Sequence, residues 1–297
     1  MPIRRSRPLL ARLAVTAVVA LTVINAQQVT LPKLTLPNEK DSVHFAVIGD
    51  TGTGGSDQRQ VAAMLTAMRA SFPFDIVLMT GDNLYGDEGP RDYARKFEAP
   101  YKALLDAKVK FYAALGNHDE ATQVNYEPFN MGGKKYYTFK PEKASVRFFA
   151  LDSNYMDKDQ LAWLEKELAA SKSDWKIMFF HHPLYSSGMH GSAVALRDQI
   201  EPLFVKYGVD AVFAGHEHFY ERIKPQKGIY HFTSGGAAKL RRGDLKPSAL
   251  TAKGFDQGYH FMLVEVTEKV LHFQTISDKG VTVDSGALPR REPVTGR

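Results

Sequence analysis

Five short apolar runs in this chain each end in a side chain that can bind a metal. AVIGD closes on Asp50, and LMTGDNLY brings Asp82 and Tyr85. AALGNHDE brings Asn117 and His118, MFFHHP brings His181 and His182, and VFAGHEH brings His216 and His218. Taken singly, each is ordinary: Gly-Asp after a strand is commonly a turn, and so is Asn-His after glycine. His216 and His218 stand at alternate positions, which puts both imidazoles on one side of an extended chain. Taken together, the run ends offer a ligand set of two carboxylates, a phenol, an amide and three of their five imidazoles. Carboxylate and phenolate are hard donors that suit a trivalent or oxophilic ion; imidazole and amide oxygen suit a borderline divalent one. One carboxylate can bridge two ions. Such a set describes a two-metal hydrolytic centre, with ions ~3.5–4 Å apart clamping a transferring phosphoryl group.

Positioning these donors requires strands. The runs at 43–48, 74–79, 109–115, 146–151, 176–180 and 209–214 are short and rich in β-branched and aromatic residues, which predicts strands. Between them, 57–71, 91–108, 158–172 and 192–207 predict helices; Leu161, Trp163, Leu164 and Leu168 mark one core-facing stripe. Further on, 229–234, 259–267 and 269–277 predict strands with no helices between them. The fold class expected is α/β, a two-sheet β-sandwich flanked by helices. Ligands in open α/β sheets bind beyond the carboxyl ends of the strands, so donors scattered along the chain converge on one rim.

Composition narrows the field. With 44% hydrophobic and 24% charged residues among 297, wholesale disorder, a collagen-like fibre and a multi-span membrane protein are excluded. There are no cysteines, so zinc-finger, iron–sulfur and disulfide frameworks fall, and any metal must sit on oxygen and nitrogen. The net charge of +5 is local: Arg4, Arg5, Arg7 and Arg12 lie in the first 26 residues, and the remainder holds 34 cations against 33 anions. Specific nucleic-acid binding is therefore not expected. A cationic start and an apolar run over 13–26 predict a signal peptide at 1–26 and export to the periplasm or medium. The alternative is an uncleaved membrane anchor, which would be the only stable membrane partner. A linker is expected at 27–42, one catalytic domain at 43–278 and a loose tail at 279–297.

The blocks GD at Asp50, GDNLY at 81–85, GNHD at 116–119, His181-x-Pro183 and GHEH at 215–218 resemble those of the calcineurin-like metallophosphoesterases. More narrowly, they are similar to purple acid phosphatases of the tartrate-resistant type. The broad family carries Asp-x-His in its first block, where this chain has Gly52; Tyr85, three residues after Asp82, supplies a replacement donor as in the narrower group. The resemblance implies one metal on Asp50, Asp82, Tyr85 and His218. It implies a second on Asp82, Asn117, His181 and His216, with Asp82 bridging. It implies Fe(III) at the first site and Fe, Zn or Mn at the second. His181, rather than His182, is implied because the family's ligand stands two before the proline. His118 and His190 would face the phosphate or the leaving group, and Asp119 would orient His118. Tyr220, Glu221 and Arg222 resemble a supporting Tyr-Glu-Arg segment.

The implied reaction is hydrolysis of a small phosphorylated substrate, a phosphate monoester, by direct attack of metal-bound hydroxide. A phosphodiesterase acting on cyclic nucleotides or other diesters is the alternative. A secreted metal- or phosphate-binding module on the same fold is the reading from another class. Lys239, Arg241 and Arg242 could approach an anionic substrate or form a solvated basic loop. The sequence leaves oligomeric state open.

Overall fold

Strand β1 (Val43–Ile48) is buried along its last four positions because it runs through the middle of a sheet, where both faces are covered. The computed structural model describes residues 31–142, 144–171 and 175–291. After β1 come α1 (Ser56–Met68), β2 (Ile76–Met79), α2 (Pro90–Tyr93), a π turn (Ala94–Glu98), α3 (Lys102–Asp106) and β3 (Lys110–Ala113). Next are β4 (Tyr137–Phe139), β5 (Val146–Ala150), α4 (Lys158–Ala170), β6 (Trp175–Phe179), α5 (Val194–Tyr207) and β7 (Ala211–Ala214). The chain continues through β8 (Tyr220–Gln226), β9 (Ile229–Ser234), β10 (Thr251–Phe255), β11 (His260–Val266), β12 (Val270–Ser277) and β13 (Thr282–Pro289).

These strands form two mixed sheets, ordered β13-β12-β11-β1-β2-β3 and β10-β8-β9-β7-β6-β5-β4. In the first, β1, β2 and β3 are parallel, and β11 joins β1 antiparallel. In the second, β5, β6, β7 and β9 are parallel. The sheets face each other across an aromatic core. Phe45 of β1 meets Phe148 and Phe213 edge-on at 5.1 and 5.8 Å, and Phe232 meets Phe273 at 5.0 Å. Edge-to-face pairs of this kind add about 0.5–1.5 kcal/mol each to the burial of the rings. Helices α4 and α5 cover the far side of the second sheet through Leu164, Leu168, Ile200 and Phe204. Asp157 caps α4, accepting from Gln160 N at 2.7 Å. The expected two-sheet sandwich with flanking helices is the architecture observed.

Three expectations need correction. The helix expected over 91–108 is broken into α2, the π turn and α3: Pro100 has no N–H to close the helical bond to Lys96 O, which accepts from Gln58 Nε2 at 2.6 Å instead. The tail expected to be loose forms β13, an antiparallel edge strand on β12. Its Asp284 accepts from Tyr220 Oη and Arg222 Nε of β8, both at 2.8 Å, so the side chain ties this edge strand to the other sheet. The folded unit therefore runs on to Pro289, past the boundary expected at 278.

The described part of the expected linker, 31–42, has no helix or strand, but it is pinned. Buried Glu265 accepts from Asn38 N and Glu39 N, and Thr35 N donates to Gln274 Oε1 at 2.9 Å. A buried carboxylate requires such donors. The expected signal peptide, 1–26, lies outside the described residues. Among those described, no helix is long and apolar enough to cross a membrane.

Candidate metal centre

The carboxyl ends of β1, β2, β3, β6 and β7 meet at one rim. Three residues there, Asp50, Asp82 and His216, hold left-handed backbones with φ of 56°, 50° and 70°. Such angles are uncommon outside glycine and persist only where the surroundings over-determine them. Here each turns the chain sharply off its strand and leaves the side chain aimed into the rim. The turns also pass very close to one another. A Cβ on Gly116 would sit 2.2 Å from Asp82 N and Oδ1, so this crossing admits glycine alone.

The first donor group gathers around Asp50. Its Oδ1 lies 3.2 Å from Tyr85 Oη and 3.3 Å from His218 Nε2, and Tyr85 Oη lies 3.3 Å from that same nitrogen. Asp50 Oδ2 accepts from His216 N at 2.9 Å. The second group gathers around Asn117 Oδ1, which lies 2.9 Å from His181 Nε2 and 3.0 Å from His216 Nδ1. Those two nitrogens are 3.1 Å apart. Asp82 stands between the groups: its Oδ1 is 3.4 Å from His181 Nε2, and its ligand atom falls within 4.8 Å of those of Asp50 and His218.

The electrostatics suit bound cations. Burial, then the neighbouring Asp82, raises the Asp50 carboxyl well above its ordinary range. Burial, then Asp50 and Asp82, drives the Tyr85 phenol far upward. Burial holds His181 well below the ordinary imidazole value; burial and then His181 bring His216 down to about 3; burial and then Arg241 bring His218 down to about 4. A carboxyl and a phenol that resist ionisation beside imidazoles that resist protonation are a donor set that two bound cations would relieve. The residues present fit a pair of metal ions.

His182 also reaches the second group. Its Nδ1 is engaged by Ser153 Oγ at 2.9 Å, while His181 Nε2 contacts Asn117, His216 and Asp82. The geometry thus favours His181 as the donor. His118 lies exposed at the mouth, its backbone N–H on Asp82 Oδ1 at 3.0 Å and its ring 5.1 Å from that of Tyr85. Among the described residues, Asp119 has no hydrogen bond to the His118 side chain. It accepts from Leu84 N, Gly116 N, Asn83 Nδ2 and Gln123 Nε2, while burial pushes its carboxyl up to about 7. It therefore orients the turns that carry Asp82 and Asn117, and not the His118 ring that the resemblance implies it would orient.

His190 comes to the centre from a loop, its ring 4.5 Å from that of His216. Glu217, fully buried, accepts from His190 Nδ1 at 3.1 Å. Sequence reasoning missed Glu217; its place between the two histidines of GHEH was the available signal. It also missed Lys96, which lies in the π turn and donates to Tyr85 O at 2.8 Å, fixing the loop that presents Tyr85.

A two-sheet sandwich with metal-capable donors at its strand ends defines a metallophosphoesterase, and residues 43–220 match the calcineurin-like phosphoesterase family, to which the chain belongs. Within it, the chain is close to the purple acid phosphatases. It is 30% identical to purple acid phosphatase 17 of Arabidopsis thaliana over 71% of this chain and 73% of that one. It is 24% identical to human tartrate-resistant acid phosphatase type 5 over 88% of this chain and 96% of that one. The fold is shared with GAP50, the anchor in the inner membrane complex of Plasmodium, at a TM-score of 0.73 and 19% identity, covering 86% of this chain and 91% of that one.

Proposed function

We propose that the chain is an exported, two-metal phosphatase that hydrolyses phosphate monoesters. The proposed first site is Asp50, Asp82, Tyr85 and His218, taking Fe(III); the second is Asp82, Asn117, His181 and His216, taking Fe, Zn or Mn. The observation that carries this reading is the phenol oxygen of Tyr85, seated within 3.3 Å of both Asp50 and His218 where Gly52 offers no donor. Bound there, two ions would supply Lewis acidity toward the phosphoryl oxygens and an acidified water.

The chain's own residues do the rest. Hydrolysis breaks the bond from phosphorus to the leaving oxygen, and water supplies the new one. His118, exposed at the mouth, gives its proton to the departing oxygen. His190, held by Glu217, steadies the phosphoryl oxygens. Export rests on the cationic and apolar start of the sequence; N-terminal sequencing of the protein recovered from the periplasm or medium tests it, and an intact Met1 in the membrane fraction would refute it.

Metal content and rates on p-nitrophenyl phosphate against bis(p-nitrophenyl) phosphate test the activity. Two metal ions per chain, faster monoester turnover, and loss of both ions in Asp82→Asn are expected. Faster diester turnover would make the protein a phosphodiesterase. Metal uptake without hydrolysis of either would make it a binding module.

A further inference from the structure

Beyond β9 the chain runs through Ser-Gly-Gly-Ala-Ala into Lys239, Leu240 and Arg241. This loop is stitched to the backbones of the metal-site residues themselves. Ala237 N donates to Gly49 O at 3.1 Å, Ala238 N to Asp50 O at 3.2 Å and Arg241 N to His218 O at 3.2 Å. The backbone that carries the two cations is therefore tied to the centre rather than swung on a free loop. Lys239 Nζ sits 4.4 Å from the centroid of the Tyr85 ring. Arg241 Nη1 donates to His190 Nε2 at 2.9 Å, and the His190 ring packs on His216. Lys239 thus stands beside the first donor group, and Arg241 lies near both, its charge felt at His218 and Asp50 and its guanidinium on His190 beside His216.

Both side chains are half-buried, and among the described residues neither forms an ion pair with a carboxylate. The acids nearby are committed elsewhere. Glu217 accepts from His190 Nδ1, Ser186 Oγ and Gly191 N, and Asp50 and Asp82 belong to the donor groups. Neither cation has a carboxylate of its own, and two positive charges held part-way out of water beside the donor groups favour a further anion. A phosphate monoester with a neutral leaving group spends its one phosphoryl group on the metal centre and leaves this pair unanswered.

We infer that Lys239 and Arg241 form a subsite for a second phosphoryl group, so that the preferred substrate class is a small molecule bearing two phosphates. This rests on the proposed phosphatase reading and deepens it. Phosphate is favoured over carboxylate on charge: a phosphate carries about −1.5 to −2 at neutral pH and answers both cations, whereas a carboxylate answers one. The planar guanidinium also matches two phosphate oxygens at once.

The test compares the full-length wild type with Lys239→Met/Arg241→Gln, which removes both charges and keeps unbranched side chains, and with Arg241→Lys. The substrates are a sugar bisphosphate and the matching monophosphate. The wild type should show kcat/KM for the bisphosphate about tenfold higher, mostly through KM, and the double variant should lose that preference while keeping its metal content. Arg241→Lys should retain part of it. A second readout does not need turnover: calorimetry on metal-loaded protein should find pyrophosphate bound about tenfold tighter than orthophosphate in the wild type alone. An unchanged preference in the double variant overturns the inference, and so does an equal loss on both substrates or a loss of metal. A wild type that hydrolyses no phosphate ester overturns the phosphatase reading instead, and the pyrophosphate measurement then still decides the subsite.

Discussion

Tyr85 and Gly52 act as a pair. A Cβ on Gly52 would lie 1.9 Å from Asn83 O and 2.4 Å from Leu84 Cα, both backbone atoms that cannot swing aside. The position that carries a histidine-bearing block in the broad family is sterically closed here. Tyr85 N in turn donates to Gly52 O at 2.9 Å, so the residue that lost a donor anchors the one that gained it. Gly52→Ala should therefore destabilise the fold by about 3 kcal/mol through overpacking; urea denaturation of the metal-free protein measures this, and an unchanged midpoint would contradict it. Tyr85→Phe keeps the ring and removes only the oxygen. Iron-loaded wild type should show a visible phenolate-to-iron absorption band that Tyr85→Phe abolishes, with the far-ultraviolet circular dichroism unchanged. Ferric protein with no such band would remove Tyr85 from the donor set.

The elements place these side chains with strained turns and with edge strands that the hydrophobic pattern does not announce. β13 reads TVDSGALP, with no alternation strong enough to predict a strand, yet Asp284 makes it a clasp between the sheets. Asp284→Ala should cost about 2 kcal/mol, the usual worth of hydrogen bonds to a charged group, since Arg222 and Tyr220 lose their acceptor. Thermal denaturation checks this. Asp284→Asn, which keeps acceptor capacity on one oxygen, should lose less; equal losses would show that the clasp acts through charge alone. The broken helix over 90–106 has a parallel logic. A continuous helix would carry Lys96 on a regular face, whereas the π turn sends it inward to the carbonyl of Tyr85.

Across the whole molecule, burial leaves two histidines outside the metal centre unable to take up protons. His231 and His260 are each brought down to about 4, by burial first, from an ordinary value of 6.5. The unfolded chain protonates at the ordinary value, so between about 6.5 and 4 it holds more protons than the folded one. Stability is full above that window and falls as pH drops through it, by on the order of 3 kcal/mol per histidine. Denaturant midpoints of metal-free protein should decline from pH 7 to 4, and His231→Gln should make the slope shallower; an unaltered slope would rule out that histidine. Much of this molecule was legible from its residues. Central strands such as VHFAVI and HFMLVEV are buried on both faces and so read as continuous apolar runs, and each metal-capable side chain directly follows such a run. The five run ends needed no knowledge of packing to be recognised as a donor set. What sequence could not decide depends on which distant segments touch. β4, β8, β10 and β13 are strands because a neighbour offers a free ladder, not because their own pattern demands it. Glu217 behind His190, Lys96 behind Tyr85, and Arg241 beside both His190 and the His218 carbonyl are pairings across up to 51 positions, fixed only when the two sheets stack and their strand ends share one rim.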